Sequence, residues 1–161
     1  MVKNKEQKTR ETGLELTRPS PLPPPAIDLP LPAYIPEEYV SDLNTRLSLY
    51  QALVKLDKVE QVEALAQEFS DRFGTPPIEV KNLFYTVKIK TLAAKAGIES
   101  ISTEDRQIVI RRFQGMQFDK QKLEPLLKDG IKVGTTQLRL TPKRLGGGWR
   151  EVLEEILKEM G

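Results

Sequence analysis

Glu68-Phe69-Ser70-Asp71-Arg72-Phe73-Gly74 is the stretch that sets the reading of this chain. It closes an amphipathic helix in which Val62, Leu65, Ala66, Phe69 and Phe73 recur every three or four positions, the spacing of one helix face. Gly74 stops the helix, and Pro76 and Pro77 open the next one. The chemistry of that end is unusual. Glu68 and Asp71 lie one turn apart on the same face, close to the C-terminus. Carboxylates there meet the negative end of the helix dipole, a penalty of about 0.3–1 kcal/mol each when exposed. A helix stop alone would be served better by Lys or Arg. The acidic pair is therefore either answered locally, with Arg72 the nearest cation, or it serves a surface outside the domain.

Upstream, Asp57 is placed to cap this helix. Tyr39, Leu43, Leu47, Tyr50 and Val54 recur at helical spacing, which predicts one helix over 37–57 or two with a break near Ser41–Asn44. Pro36 suits a first helical turn, with Glu37 and Glu38 on the favourable end of the dipole. The segment Ile27–Ile35 alternates apolar and polar residues between prolines, and suits an edge strand or an extended strap. Eight of the twelve prolines fall within residues 19–36, which predicts a polyproline-like strut over Pro19–Pro25. Residues 1–30 are predicted to be a flexible proline-rich linker, and 31–161 the folded domain.

Downstream, Val80, Leu83, Phe84, Val87, Leu92 and Ala94 mark a third helix over 77–96, ended by Gly97. It has the widest apolar face and belongs at the centre of the packing. The pattern then changes period. Ile98–Ser102 and Gln107–Phe113 are β-branched and alternating, joined by the short link Thr103–Arg106, and read as a hairpin. Asp119 caps a short helix through Leu127, and Ile131–Val133 with Gln137–Leu140 forms a second pair of strands. The link Lys143–Gly148 leads to a last helix, Trp149–Met160, with Val152, Leu153, Ile156 and Leu157 facing inward. Helices and strands segregated in this way predict an α+β fold. A three-helix segment comes first. Small antiparallel hairpins with two further helices follow.

Composition narrows the function. Of 161 residues, 39% are apolar and 30% charged, with a mean hydropathy of −0.42 and a net charge of +2. There is no Cys and no His, which removes disulfides, thiolate nucleophiles, Cys-ligated zinc and the commonest general base. The polar N-terminus and the lack of a run of about 20 apolar residues predict a cytoplasmic protein without a membrane span or signal peptide. No Gly-x4-Gly-Lys-Ser/Thr loop occurs, and Glu37–Glu38 and Glu154–Glu155 are adjacent pairs that do not converge on a metal. No catalytic, cofactor or metal site is predicted. Gly146–Gly148, preceded by Lys143 and Arg144, reads as a hinge rather than a phosphate cradle. Basic residues gather on the strands, and Arg111, Arg112, Arg139 and Lys143 form an alternative nucleic-acid-contacting face.

Ile35-Pro36-Glu37-Glu38-Tyr39-Val40, Arg46-Leu47-Ser48-Leu49-Tyr50, Glu68 to Gly74, Pro77, Val80, Asn82-Leu83 and Lys90 together resemble the C-terminal (TRCF) domain of the bacterial transcription-repair coupling factors, Mfd. The resemblance is strong over about residues 27–101 and looser beyond. It departs at Ser70, where an aliphatic residue is usual, and at Thr75-Pro76, which replaces Pro-Leu. The resemblance implies a large ATP-driven DNA translocase, with ATP and Mg²⁺ held in motor domains absent from this chain. Such a protein recognises RNA polymerase stalled at DNA damage and recruits nucleotide-excision repair through excinuclease A. The domain itself is implied to be a non-catalytic regulator. It docks on the N-terminal excinuclease-B-like module of the same protein and masks excinuclease A binding until polymerase is engaged. The Glu-x-x-Asp of that docking surface maps onto Glu68 and Asp71, with Arg72 beside them.

Overall fold

The computed structural model describes residues 22–161. Strand β1 is Ala26–Ile27, followed by helices α1 Leu43–Val54, α2 Val59–Phe73 and α3 Ile78–Lys95. Strands β2 Ile98–Glu104 and β3 Gln107–Arg112 come next, then the short α4 Lys120–Leu123, extended by a 3-10 turn over Glu124–Leu126. Strands β4 Ile131–Val133 and β5 Gln137–Leu140, a single turn α5 Pro142–Leu145, and helix α6 Trp149–Met160 complete the chain. The predicted α+β class is the observed one.

The strands form one five-stranded sheet in the order β1-β2-β3-β5-β4. Its centre is antiparallel, as expected, with Ile101 opposite Ile110 and Ile110 opposite Leu138. The edge is not, because β1 pairs with β2 in parallel. Of the linker expected over 1–30, the part Pro19–Pro21 and everything before it lies outside the described residues. Its last residues lie against the body. Pro25 and Leu29 are buried, and Asp28 N–H donates to the Ile101 carbonyl. The β2–β3 turn is a tight two-residue one at Asp105 and Arg106, both with positive φ (50° and 64°). This is the primed turn that the twist of a hairpin requires. It lengthens β2 beyond Ser102 to Glu104, two residues more than alternation alone indicates.

Two cores share one helix. The larger lies between the apolar face of the sheet and α3, α4 and α6, and includes Ile89, Ala93, Ile101, Ile108, Ile110, Leu138, Leu140, Leu153 and Ile156. The smaller holds Ile35, Val40, Leu49, Leu53, Val62, Phe69, Val80 and Phe84. The first half of α3 supplies Val80 and Phe84 to one core and its second half supplies Ile89, Leu92 and Ala93 to the other. Buried Asn82 ties the ends of the chain to this helix. Its Nδ2 donates to the Pro32 carbonyl (3.0 Å), and its Oδ1 accepts from Arg150 Nη2 at the start of α6 (3.0 Å).

Four expectations need correction. Of the one or two helices predicted over 37–57, only α1 forms, starting at Leu43 behind Asp42, whose carboxylate accepts from Thr45 N–H, and residues 37–39 make a turn. The Leu43–Leu47–Val54 row does not face the core; Leu49 and Leu53 do. Asp57 does not cap α2. Its own N–H and that of Lys58 donate to Gln61 Oε1 (3.0 and 3.2 Å), so the glutamine reaches back to close the helix start. In α3, the exposed Ala94 gives way to Ala93 and Ile89 as core residues.

Phe69 is fully buried, with its ring edge-on to Phe73 and Phe84 at 6.0 and 4.8 Å between centroids. Phe69→Ala is expected to destabilise the domain by about 3–5 kcal/mol, read by urea denaturation. A loss under about 1 kcal/mol would show that the three-helix end packs around other residues.

Candidate functional site

The end of α2 is built by residues from three segments. Gly74 has φ 89° and ψ −173°, a conformation essentially confined to glycine, although a side chain would meet nothing within 4 Å. The glycine is thus required by backbone geometry and not by space. Its N–H donates to the Ser70 carbonyl. Tyr39 supplies the other closure. Its hydroxyl lies 2.8 Å from the Gly74 carbonyl and 3.1 Å from that of Phe69, and its ring meets Phe73 edge-on at 5.8 Å. One hydroxyl proton serves two acceptors, so the shorter contact to Gly74 dominates. Desolvation raises the Tyr39 pKa, which keeps the donor protonated.

Glu68, Asp71 and Arg72 are all exposed. Arg72 Nη1 stands 3.4 Å from Glu68 Oε2, with about half of each side chain open to solvent (49% and 54%). The same guanidinium lies 4.8 Å over the Phe73 ring. Asp71 Oδ1 accepts from Gln67 Nε2 at 3.1 Å, a neutral partner on its own helix. Each carboxylate therefore has one local contact, both are at the surface, and only Glu68 faces a cation. An exposed pair of this kind contributes 0–1 kcal/mol. Of the two alternatives, the structure shows the local answer in part: Arg72 reaches back to Glu68, and both carboxylates remain accessible.

Sequence periodicity gave no hint of the cavity beside this turn. It measures about 310 Å³ and is lined by Tyr34, Tyr39, Thr75 and Pro77, with the carboxylates Glu38 and Glu79. Tyr34 is half exposed. Aromatic rings with two acids form a setting that accepts a guanidinium. The signal was present in the Glu37-Glu38-Tyr39 string, but only the crossing of residues 34–39 over the α2–α3 turn brings Glu38 to Glu79.

The basic strand residues do not act as a group. Arg111 and Arg139 lie on the sheet face opposite the core, with Lys132 next to Arg139 across β4 and β5. Arg111 holds Glu104 in a forked pair (2.6 and 3.0 Å) on which Ser102 also converges (2.7 Å). Those bonds lower the Glu104 pKa to about 2. Arg139 donates to Gln107 Oε1 at 3.0 Å. Arg112 points the other way. Its Nη atoms donate to the carbonyls of Gln117 and Ala96 (2.8 Å each), pinning β3 to the end of α3. Lys143 is exposed on the separate turn α5. Among the described residues, no group of three or more acidic side chains is arranged to hold a metal ion, and no helix is long and apolar enough to cross a membrane.

A family model described as the TRCF domain matches residues 29–123. The transcription-repair-coupling factor of Rickettsia typhi is 38% identical over 100 residues, covering 62% of this chain and 9% of that protein. Its counterpart in Staphylococcus epidermidis is 33% identical over 142 residues, covering 82% of this chain and 12% of that protein. The chain thus spans about a tenth of the length of the curated relatives it matches. A crystal structure of the C-terminal domain of a transcription-repair coupling factor superposes with a TM-score of 0.70, covering 83% of this chain and 92% of that one at 24% identity. At that identity the match speaks for the fold alone.

The Glu104 pair has a pH consequence. A carboxyl with a depressed folded-state pKa adds stability above its unfolded pKa, and that contribution disappears as the pH falls through the folded value. The Glu104 carboxyl is expected to titrate near pH 2 by NMR and to return to the ordinary carboxylate range in Arg111→Ala. An ordinary pKa in the unaltered chain would show that the pair does not hold in solution.

Proposed function

The chain belongs to the TRCF-domain family of transcription-repair-coupling factors, and on that premise we propose that it is a non-catalytic docking domain. It engages the N-terminal excinuclease-B-like module of such a factor and covers the surface that excinuclease A would use. The restraint persists until stalled RNA polymerase is engaged. The DNA translocase activity, with its ATP and Mg²⁺, belongs to other domains in this reading, and the setting is the cytoplasm.

One observation carries the proposal. Glu68 and Asp71 stand exposed at the negative end of α2, where the helix itself disfavours them, and a single weak contact to Arg72 is the local cationic answer. A positive partner surface would relieve both charges. The cavity edged by Glu38 and Glu79 beside the same turn extends the acidic area. Charges placed in this way set encounter rate and specificity, while apolar neighbours supply affinity. Within one polypeptide, high effective concentration lets a weak contact hold a closed state. A competing ligand that favours the open state releases it.

A second reading, contact with nucleic acid, is supported by the cross-strand neighbours Lys132 and Arg139, like charges directly opposite each other on the open sheet face. With Arg112 held by carbonyls and Arg111 by Glu104, few cations there are left for phosphates.

Titrating the purified excinuclease-B-like module with this chain separates the readings. The docking reading predicts salt-sensitive binding that Glu68→Ala with Asp71→Ala weakens at least about tenfold, with unchanged circular dichroism. Excinuclease A capture by the module is expected to fall as the chain is added, and to recover with the double variant. Equal binding by both forms would overturn the docking role. In parallel, duplex DNA is expected not to bind this chain at about 150 mM salt, whereas micromolar binding with a steep salt slope would favour the sheet face.

A further inference from the structure

The cavity beside the α2–α3 turn is a built pocket. One wall comes from Tyr34, Pro36, Glu38 and Tyr39, and the other from Thr75, Pro77 and Glu79. Hydrogen bonds pin both walls. Tyr34 N–H donates to the Glu79 carbonyl (3.3 Å), Ile35 N–H to the Tyr50 hydroxyl (2.7 Å), and the Tyr39 hydroxyl to the Gly74 carbonyl (2.8 Å). Buried Pro36 and half-buried Pro77 restrict the backbone on each side. The space of about 310 Å³ therefore exists before a partner arrives, and filling it needs little rearrangement.

The polar groups of this pocket are not used by the fold. Of the four tyrosines, Tyr39, Tyr50 and Tyr85 each hold the hydroxyl in a hydrogen bond to the backbone, at Gly74, Ile35 and Arg150. Tyr34 is the exception. Its side chain has no hydrogen-bond, ring or cation partner among the described residues, and it is 48% exposed. The carboxylates of Glu38 and Glu79 likewise meet no donor and no cation among the described residues. Glu79 stands in the first turn of α3, where the helix dipole favours a negative charge. Two cations of this end are already engaged. Arg72 pairs with Glu68, and Arg46 Nη1 donates to the carbonyls of Val40 and Ser41 (2.7 and 3.0 Å).

We propose that this pocket receives one arginine side chain of the docking partner, with its guanidinium on the Tyr34 ring and its N–H groups directed to Glu38 and Glu79. The proposal rests on the docking reading and names what the partner contributes. A planar guanidinium stacks on an aromatic face while its fork of donors meets carboxylates at the edge. A lysine ammonium has no such plane and holds its water more strongly, so it fits less well. The molecule contains one arrangement of this kind with its occupant in place. Arg150 lies 5.5 Å over the Tyr85 ring and 5.8 Å over Trp149, and donates to Asn82 Oδ1 at 3.0 Å. An arginine in a preformed aromatic pocket is the type of contact that dominates an interface energetically. Glu68 and Asp71 would then steer the partner, and the pocket would hold it.

Two measurements test the proposal. In the first, acetyl-Gly-Arg-Gly-amide is titrated into the isotopically labelled chain and followed by NMR. The signals of Tyr34, Glu38 and Glu79 are expected to shift together with a Kd of about 1–10 mM. The matching lysine peptide is expected to bind at least about threefold more weakly, and Glu38→Gln with Glu79→Gln to abolish the shifts. In the second, the excinuclease-B-like module is titrated with the same double variant, which keeps Glu68 and Asp71. Binding is expected to weaken at least about tenfold, and similarly in Tyr34→Ala, with circular dichroism and melting temperature unchanged. The proposal is overturned by peptide shifts that miss these three residues, by equal binding of the lysine peptide, or by module binding that both variants leave intact. Failure of the unaltered chain to bind the module would sink the docking reading itself, and the peptide titration then decides the pocket alone.

Discussion

Helix α3 has to be buried by two cores at once, and the rest of the structure is arranged around that constraint. Val80 and Phe84 pack toward α1 and α2, while Ile89, Leu92 and Ala93 pack toward the sheet and α6. A helix wrapped so widely leaves little room for polar groups. The exceptions are informative. Asn82 and Thr91 are buried, yet Thr91 Oγ1 bonds the Val87 carbonyl, and Asn82 binds both the incoming strap at Pro32 and the last helix at Arg150. An unsatisfied amide there would cost about 1–3 kcal/mol, so the amide specifies where both terminal segments lie. Lys88 meeting Glu154 (2.8 Å) reinforces the α3–α6 contact near the surface, and Lys158 reaches the same carboxylate from within α6 (2.9 Å).

The strap delivers Tyr39 to the end of α2, and Gly74 turns the chain into α3. These two residues hold the Glu68–Arg72 tip in place while leaving its carboxylates outside. The regulatory account therefore needs no moving part within the domain. On the proposed reading, a positive surface would stabilise this unfavourable charge placement, and whatever competes for that surface would release the tip.

Much of this was legible in the chain. Gly74, Gly97 and Gly130 punctuate the elements, and the Val152–Leu153–Ile156–Leu157 row named the inner face of α6 correctly. Where reading failed, the reasons are physical. On α1, two apolar rows compete, and periodicity cannot tell which one a neighbour will cover. Asp57 looked like a cap by type, but the N-cap position falls one residue later, on Lys58, and Gln61 closes the helix start instead. The parallel β1 edge and the cavity at Glu38 and Glu79 depend on where a proline-bearing segment lands, which no local pattern encodes. The basic strand residues were visible as a group, yet their alternation around β3 sends Arg111 and Arg112 to opposite faces, with separate partners.

The relatives carry the matching stretch within proteins about ten times its length. Hydrogen–deuterium exchange of this chain with and without the excinuclease-B-like module tests the central claim most directly. The account predicts slowed exchange across residues 68–79 and no change over β3, β4 and β5. Protection confined to those strands, with residues 68–79 unaffected, would contradict it.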